Sequence, residues 1–248
     1  MCMRMHFFME EIMRILKRIT EYFTAVELIL WSSSVLLTVA SFCIFGSGDY
    51  LTLAASLIGV TSLIFAAKGN PVSQILMIIF SLIYGVISWG FRYYGEMITY
   101  LGMTMPMSAF ALVSWLRNPY KGRKSEVAVN RISRKEQVFM WALTAAVTAV
   151  FYFILSAFNT ANIIPGTVSV TTSFAAVYLT FRRSPYFALA YAANDIVLMV
   201  LWIMASFENT AYISVTVCFA AFFANDIYGF ISWRKMEKRQ RENQNSVS

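Results

Sequence analysis

Apolar residues in this chain fall into long uninterrupted blocks separated by short polar breaks. The blocks run over about Val26–Phe45, Tyr50–Ala67, Pro71–Phe91, Glu96–Leu116, Gln137–Phe158, Ala161–Phe181, Pro185–Ala205 and Asn209–Trp233. Each is close to the ~20 residues that cross a hydrocarbon core. Lipid leaves no solvent partner for a bare peptide group, so every block is predicted to be a helix. The breaks carry turn residues, as in Gly46-Ser47-Gly48-Asp49, Lys68-Gly69-Asn70-Pro71 and Ser184-Pro185. Ahead of the first block, charged and apolar residues interleave without a short apolar core or a small-residue cleavage site. That segment is predicted to be an amphipathic helix lying in the membrane interface.

Lysine and arginine fix the predicted orientation. Eight spans with an internal N-terminus place on one side the N-terminal arm, the turn at Lys68, residues 117–135, the turn at Arg182-Arg183 and the tail from Arg234. These segments hold nineteen of the 20 basic residues; only Arg92 falls elsewhere. By the positive-inside rule that side is the cytoplasm, and both termini are expected there. Shifting the frame by one helix would put basic loops on both sides.

Composition agrees. The chain of 248 residues is 58% hydrophobic and only 13% charged, too little charge to cover a soluble domain of this length. The net charge of +7 sits in the loops and the tail, which points to a membrane surface and not to nucleic acid. Cys2, Cys43 and Cys218 show no metal or disulfide spacing, and His6 is the single histidine. No metal site, cofactor or Ser/His catalytic pair is therefore expected, and an enzyme is disfavoured. The absence of a GxxxxGK[ST] loop points away from ATP-driven pumping.

A shift of 113 residues lays Trp89 on Trp202, Ser81 on Asn194 and Asp49 on Asn162. Spans 2–4 then correspond to spans 6–8, with span 5 reversing the chain between them, so the two units run parallel. Such repeats place a substrate near the bilayer midplane between them. The predicted organisation is an all-α integral membrane protein in five segments. Residues 1–48 form the amphipathic helix and span 1; 49–118, the first three-helix bundle; 119–160, a basic cytoplasmic loop and linking helix; 161–234, the second bundle; and 235–248, a basic cytoplasmic tail.

Charge inside a membrane is costly and marks function. Asn194-Asp195 lies halfway along span 7, and Asn225-Asp226 in the inner half of span 8, with Tyr191 and Tyr228 about one turn away. In span 3, Gln74, Ser81 and Tyr84 share a helical face with Met77 and Ser88. These residues, with Trp89 as a further aromatic face, make the candidate substrate set. Interhelical hydrogen bonding is the alternative role for the polar ones. Trp115 and Trp233, each in a Ser-Trp beside basic residues, fit interfacial anchors, and Trp89 and Trp202 fit the same belt. A flat, partly cationic ring joined to a polyol suits such a lining. Aromatics stack on the ring, an aspartate balances its charge, and amides bond the hydroxyls.

The chain resembles the PnuC family of nicotinamide riboside transporters from about Ala66 to Arg234. The matching residues are Ala67-Lys68-Gly69-Asn70, Tyr84-Gly85, Tyr94-Gly95-Glu96, Pro106-Met107, Ser114-Trp115, Asn225-Asp226-Ile227-Tyr228-Gly229-Phe230 and Trp233-Arg234. The resemblance implies the 3+1+3 helix arrangement of SWEET-type carriers, a homotrimer in a bacterial cytoplasmic membrane, and facilitated diffusion of nicotinamide riboside trapped by cytoplasmic phosphorylation. One pattern departs. Where the family has Trp-x-x-Trp-x-x-x-Asn in span 7, this chain has Ala188, Tyr191 and Asp195. Relatives of the family carry thiamine, another cationic aromatic ring, so thiamine or a similar vitamin is the alternative substrate.

Overall fold

The computed structural model describes residues 17, 20–45, 50–90, 94–160 and 162–246. The predicted N-terminal amphipathic helix, the Gly46–Asp49 turn, Arg92 and Ser248 lie outside them. Among the described residues, eight helices are long and apolar enough to cross a membrane. They are α1 (Ala25–Phe45), α2 (Tyr50–Ala67), α3 (Val72–Gly90), α4 (Tyr94–Arg117), α5 (Arg134–Ala157), α6 (Ile163–Phe181), α7 (Phe187–Ser206) and α8 (Ile213–Asn245). Their predicted number and order hold, with ends within a few residues of expectation except at the tail.

Six helices close into a ring in the order α2, α3, α4, α6, α7, α8 and back to α2. Each three-helix unit supplies half of the ring, so α3 and α7 face each other across it. Helix α1 packs outside on α8 and α2, and α5 on α6. Where α2 meets α8, a Cβ at Gly59 would fall 2.3 Å from the ring tip of Phe222, so glycine lets that side chain lie against the α2 backbone. The end bearing the turns at Lys68 and Arg182 is called here the basic end, and the other the far end.

The two units repeat their turn chemistry closely. Asn70 N–H donates to Phe65 O and Ser184 N–H to Leu179 O; Gly69 N–H donates to Ala66 O and Arg183 N–H to Thr180 O. Gly69 and Arg183 both hold positive φ, +66° and +56°. The register at this turn is therefore 114 residues. That corrects the 113-residue shift by one position and pairs Ser81 with Asp195 instead of Asn194. Arginine in the left-handed region costs on the order of 1–2 kcal/mol that glycine avoids. Burial, then the neighbouring Arg182, also lowers the pKa of Arg183.

A second repeated feature ties the halves together at the basic end. On α4, Ser114 Oγ donates to Phe181 O at 2.9 Å and Trp115 Nε1 to Thr180 O at 2.9 Å. On α8, Ser232 Oγ donates to Ala67 O at 2.8 Å and Trp233 Nε1 to Ala66 O at 2.7 Å. Each Ser-Trp pair thus caps orphan carbonyls in the last turn of a helix of the other unit. The reading of Trp115 and Trp233 as interfacial anchors is overturned, because both are fully buried. They lie 5.4 Å apart, with Phe187 4.9 Å from Trp233.

Helix α1 is anchored by a capping box. Thr24 N–H donates to Glu27 Oε2 at 2.8 Å, and Glu27 N–H to Thr24 Oγ1 at 3.3 Å. Glu27 also pairs with Lys68 at 3.1 Å.

The basic loop contains a feature that the sequence reading left out. Strands β1 (Pro119–Tyr120) and β2 (Arg123–Val127) pair antiparallel around Lys121-Gly122. Both turn residues have positive φ, as a two-residue hairpin turn requires. The predicted tail is instead the continuation of α8. Gln240 Nε2 donates to Glu126 Oε1 at 2.9 Å and Val127 O at 3.1 Å, while its Oε1 accepts from Val129 N–H at 2.9 Å. Ion pairs Arg131–Glu237 and Arg239–Glu126 flank it. These contacts hold the last turns helical against the hairpin.

Candidate functional site

The ring interior is closed at both ends. Toward the far end, Trp202 Nε1 on α7 donates to the Tyr84 hydroxyl on α3 at 3.0 Å, directly across the ring. Tyr84 packs on Tyr100 at 4.4 Å, Phe80 at 5.5 Å and Phe219 at 6.1 Å between ring centroids. A cavity of only about 10 Å³ remains among these groups. Toward the basic end, Trp115, Trp233 and Phe187 close the passage. Trp202 is fully buried and thus no belt residue, whereas Trp89 is 62% exposed on the outer surface against Tyr94. Trp89 therefore does not line the ring interior in this structure.

Between the two closures lie the acidic groups. Asp195 is 3% and Asp226 4% exposed. Their carboxyls meet across the α7–α8 contact within hydrogen-bonding reach. Two carboxyl groups can bond to each other only by sharing a proton, since a carboxylate has none to donate. Asp195 Oδ2 has no other partner among the described residues. Tyr191 lies in the field of both aspartates and bonds Thr180.

Asn194, one residue along and about 100° around the helix, turns to α6. Its Oδ1 accepts from Thr172 Oγ1 at 2.8 Å, Ser173 Oγ at 3.0 Å and Ser169 Oγ at 3.3 Å. On α3, Gln74 is buried and donates to Ser73 Oγ at 3.2 Å. Ser81 is fully buried with its hydroxyl unpartnered.

Asn225 and Tyr228 share a face, as expected, but that face meets α1 and not the ring interior. Asn225 Nδ2 donates to Ser34 Oγ at 2.8 Å and to Ala221 O. Tyr228 donates to Glu27 Oε1 at 3.2 Å. In this structure these bonds hold the eighth helix to the first, while Asn225 Oδ1 stays buried without a partner among the described residues.

Two interior residues escaped the sequence reading, Glu96 and Tyr100 on α4. Glu96 is 4% exposed and bonds Ser169. Tyr100 begins a π-helical stretch, Tyr100–Thr104, and lies in the field of Glu96, Asp195 and Tyr191. Glu96 carried a signal, being an acid at the start of an apolar block, but that position reads equally well as a span boundary.

The interior thus gathers three carboxyls among tyrosines. Among the described residues every lysine and arginine lies at or beyond the basic end of a span. Among the described residues no cation balances this cluster, so it suits a cation that arrives and leaves.

Known proteins supply the remaining context. A family model described as nicotinamide mononucleotide transporter matches residues 49–235. The nicotinamide riboside transporter PnuC of Neisseria mucosa is 24% identical over 201 residues, 79% of this chain and 76% of that protein. The PnuC of Haemophilus influenzae is 23% identical over 193 residues, 77% of this chain and 82% of the relative. A crystal structure of the vitamin B3 transporter PnuC superposes with a TM-score of 0.77 at 22% identity, covering 88% of this chain and 94% of the other. On the match to three quarters of its length, added to eight spans around a closed polar interior, the chain belongs to the nicotinamide mononucleotide transporter family of membrane transporters.

Proposed function

We propose that this chain carries nicotinamide riboside across a bacterial cytoplasmic membrane by facilitated diffusion, the riboside being phosphorylated once inside. The observation that carries this reading is the set of buried, unbalanced carboxyls Glu96, Asp195 and Asp226 beside Tyr84, Tyr100 and Tyr191. A pyridinium ring supplies the missing positive charge and the flat face that tyrosines stack against. The names of the two bacterial relatives support the same substrate. The mononucleotide is a poorer fit, because its phosphate would enter an acidic interior where, among the described residues, no basic side chain meets it. Thiamine is the second reading, favoured by Ala188 and Tyr191 standing where the family pattern has tryptophan. On the same resemblance we take the carrier to be a homotrimer, which mass analysis in detergent tests.

Uptake of the riboside into proteoliposomes held without a membrane potential is expected to stop at equal concentrations inside and out. Excess mononucleotide should not compete. Accumulation driven by an imposed proton or sodium gradient would overturn the passive reading, and stronger competition by thiamine would move the substrate to the second.

The basic end is proposed to face the cytoplasm. The positive-inside rule supports this, since the loops there carry nearly all the basic residues. Ser125, exposed on β2, replaced by cysteine in a cysteine-free background, should react only with a membrane-permeant reagent. Labelling from outside intact cells would reverse the orientation.

A further inference from the structure

Glu96 differs from the other buried glutamate of the first half. Both oxygens of Glu27 are occupied, by Lys68, Thr24 and Tyr228, as a carboxyl kept for structure requires. Glu96 Oε2 is buried with no partner, and no basic side chain approaches it, among the described residues. It stands three residues into α4 from the far end, whereas Asp195 lies midway along α7. Between the two levels the helix widens into the π-turn that begins at Tyr100. Such turns are frequent at functional sites. The Tyr100 ring rests on Tyr84 and lies in the field of both Glu96 and Asp195. A second, independent group toward the far end is also unsatisfied. Ser88, one turn beyond Tyr84 on the same face of α3, is fully buried with its hydroxyl unpartnered.

We propose that Glu96 is a second cation station, on the far-end side of the Asp195–Asp226 pair, with Tyr100 on the π-turn dividing the two. An organic monocation entering from the far end meets Glu96 and the Ser88 hydroxyl first. It passes Tyr100 as α4 shifts at its π-turn, and then reaches the aspartates. Ser169 on α6 stands beside both Glu96 and Asn194, and its single hydroxyl proton goes to one acceptor or the other. The inference rests on the reading of the substrate as a cation.

Initial uptake rates in proteoliposomes test it, with the cationic riboside and its neutral dihydropyridine form as substrates. Glu96→Gln is expected to raise KM for the cation at least tenfold, to leave KM for the neutral form unchanged, and to keep the parent's melting temperature. Glu96→Asp, which keeps the charge, should recover most of the loss. If Glu96→Gln transports both as the parent does, or loses both equally together with thermal stability, Glu96 is a structural carboxyl and the station is refuted. If the parent itself does not distinguish cation from neutral form, the cation reading falls and the station with it. A parent that discriminates beside a Glu96→Gln variant that matches it removes the station alone.

Discussion

Asp195→Asn is expected to fold normally and to bind the cationic riboside roughly ten- to 150-fold more weakly, about 1.5–3 kcal/mol, the range for a hydrogen bond to a charged group. The amide copies the shape of the acid, so packing between α7 and α8 survives. Its effect on charge is double. The variant loses the carboxyl whose Oδ2 is free, and its new N–H₂ can donate to Asp226, occupying the remaining carboxylate. A neutral analogue should bind within about twofold of its affinity for the parent. Isothermal titration with both ligands separates the cases. Unchanged binding of both would make the aspartate pair a helix–helix contact and remove the charge argument.

Trp233→Ala is expected to destabilise the protein by about 3–5 kcal/mol, the range for truncating a fully buried aromatic. The side chain closes the basic end against Trp115 and Phe187 and donates to a carbonyl of the other unit. Its loss leaves both a void and an orphan acceptor at Ala66. Trp233→Phe keeps most of the packing and should cost only about 1 kcal/mol, the hydrogen bond alone. Thermal melting in detergent measures the order. If the alanine variant melts like the parent, the Ser-Trp pair is not what joins the halves.

Much of the architecture was legible because a bilayer demands long apolar runs and leaves charges few places to go. The same logic exposed Asp195 and Asp226, acids within otherwise apolar helices. Helical periodicity then reached its limit. It groups Asn225 with Tyr228 but does not say which neighbour their face meets, and the outer helix α1 took both. It also hid Tyr100, because the π-turn breaks the 3.6-residue period around that residue. Trp115 and Trp233 misled for a different reason. A Ser-Trp next to arginine looks like an interfacial anchor until the carbonyls it caps, more than sixty residues away in each case, are known. The same distance hid the helical tail, which depends on Gln240 reaching the hairpin.

The paired Ser-Trp staples carry a consequence for how the carrier idles. Parting the halves at the basic end breaks the four Ser-Trp hydrogen bonds, about 2–6 kcal/mol at the usual net worth of each; the bonds described above between the halves toward the far end are Tyr84–Trp202 and Glu96–Ser169, about 1–3 kcal/mol together. On these bonds alone the far mouth is expected to open the more easily, with the basic mouth opening as the rarer excursion. In the passive cycle proposed above, such a bias cannot drive solute uphill, since the cycle obeys detailed balance. It does make the two faces unequal: half-saturation comes at a lower concentration on the far side, and a solute released at the basic mouth finds that door mostly shut behind it.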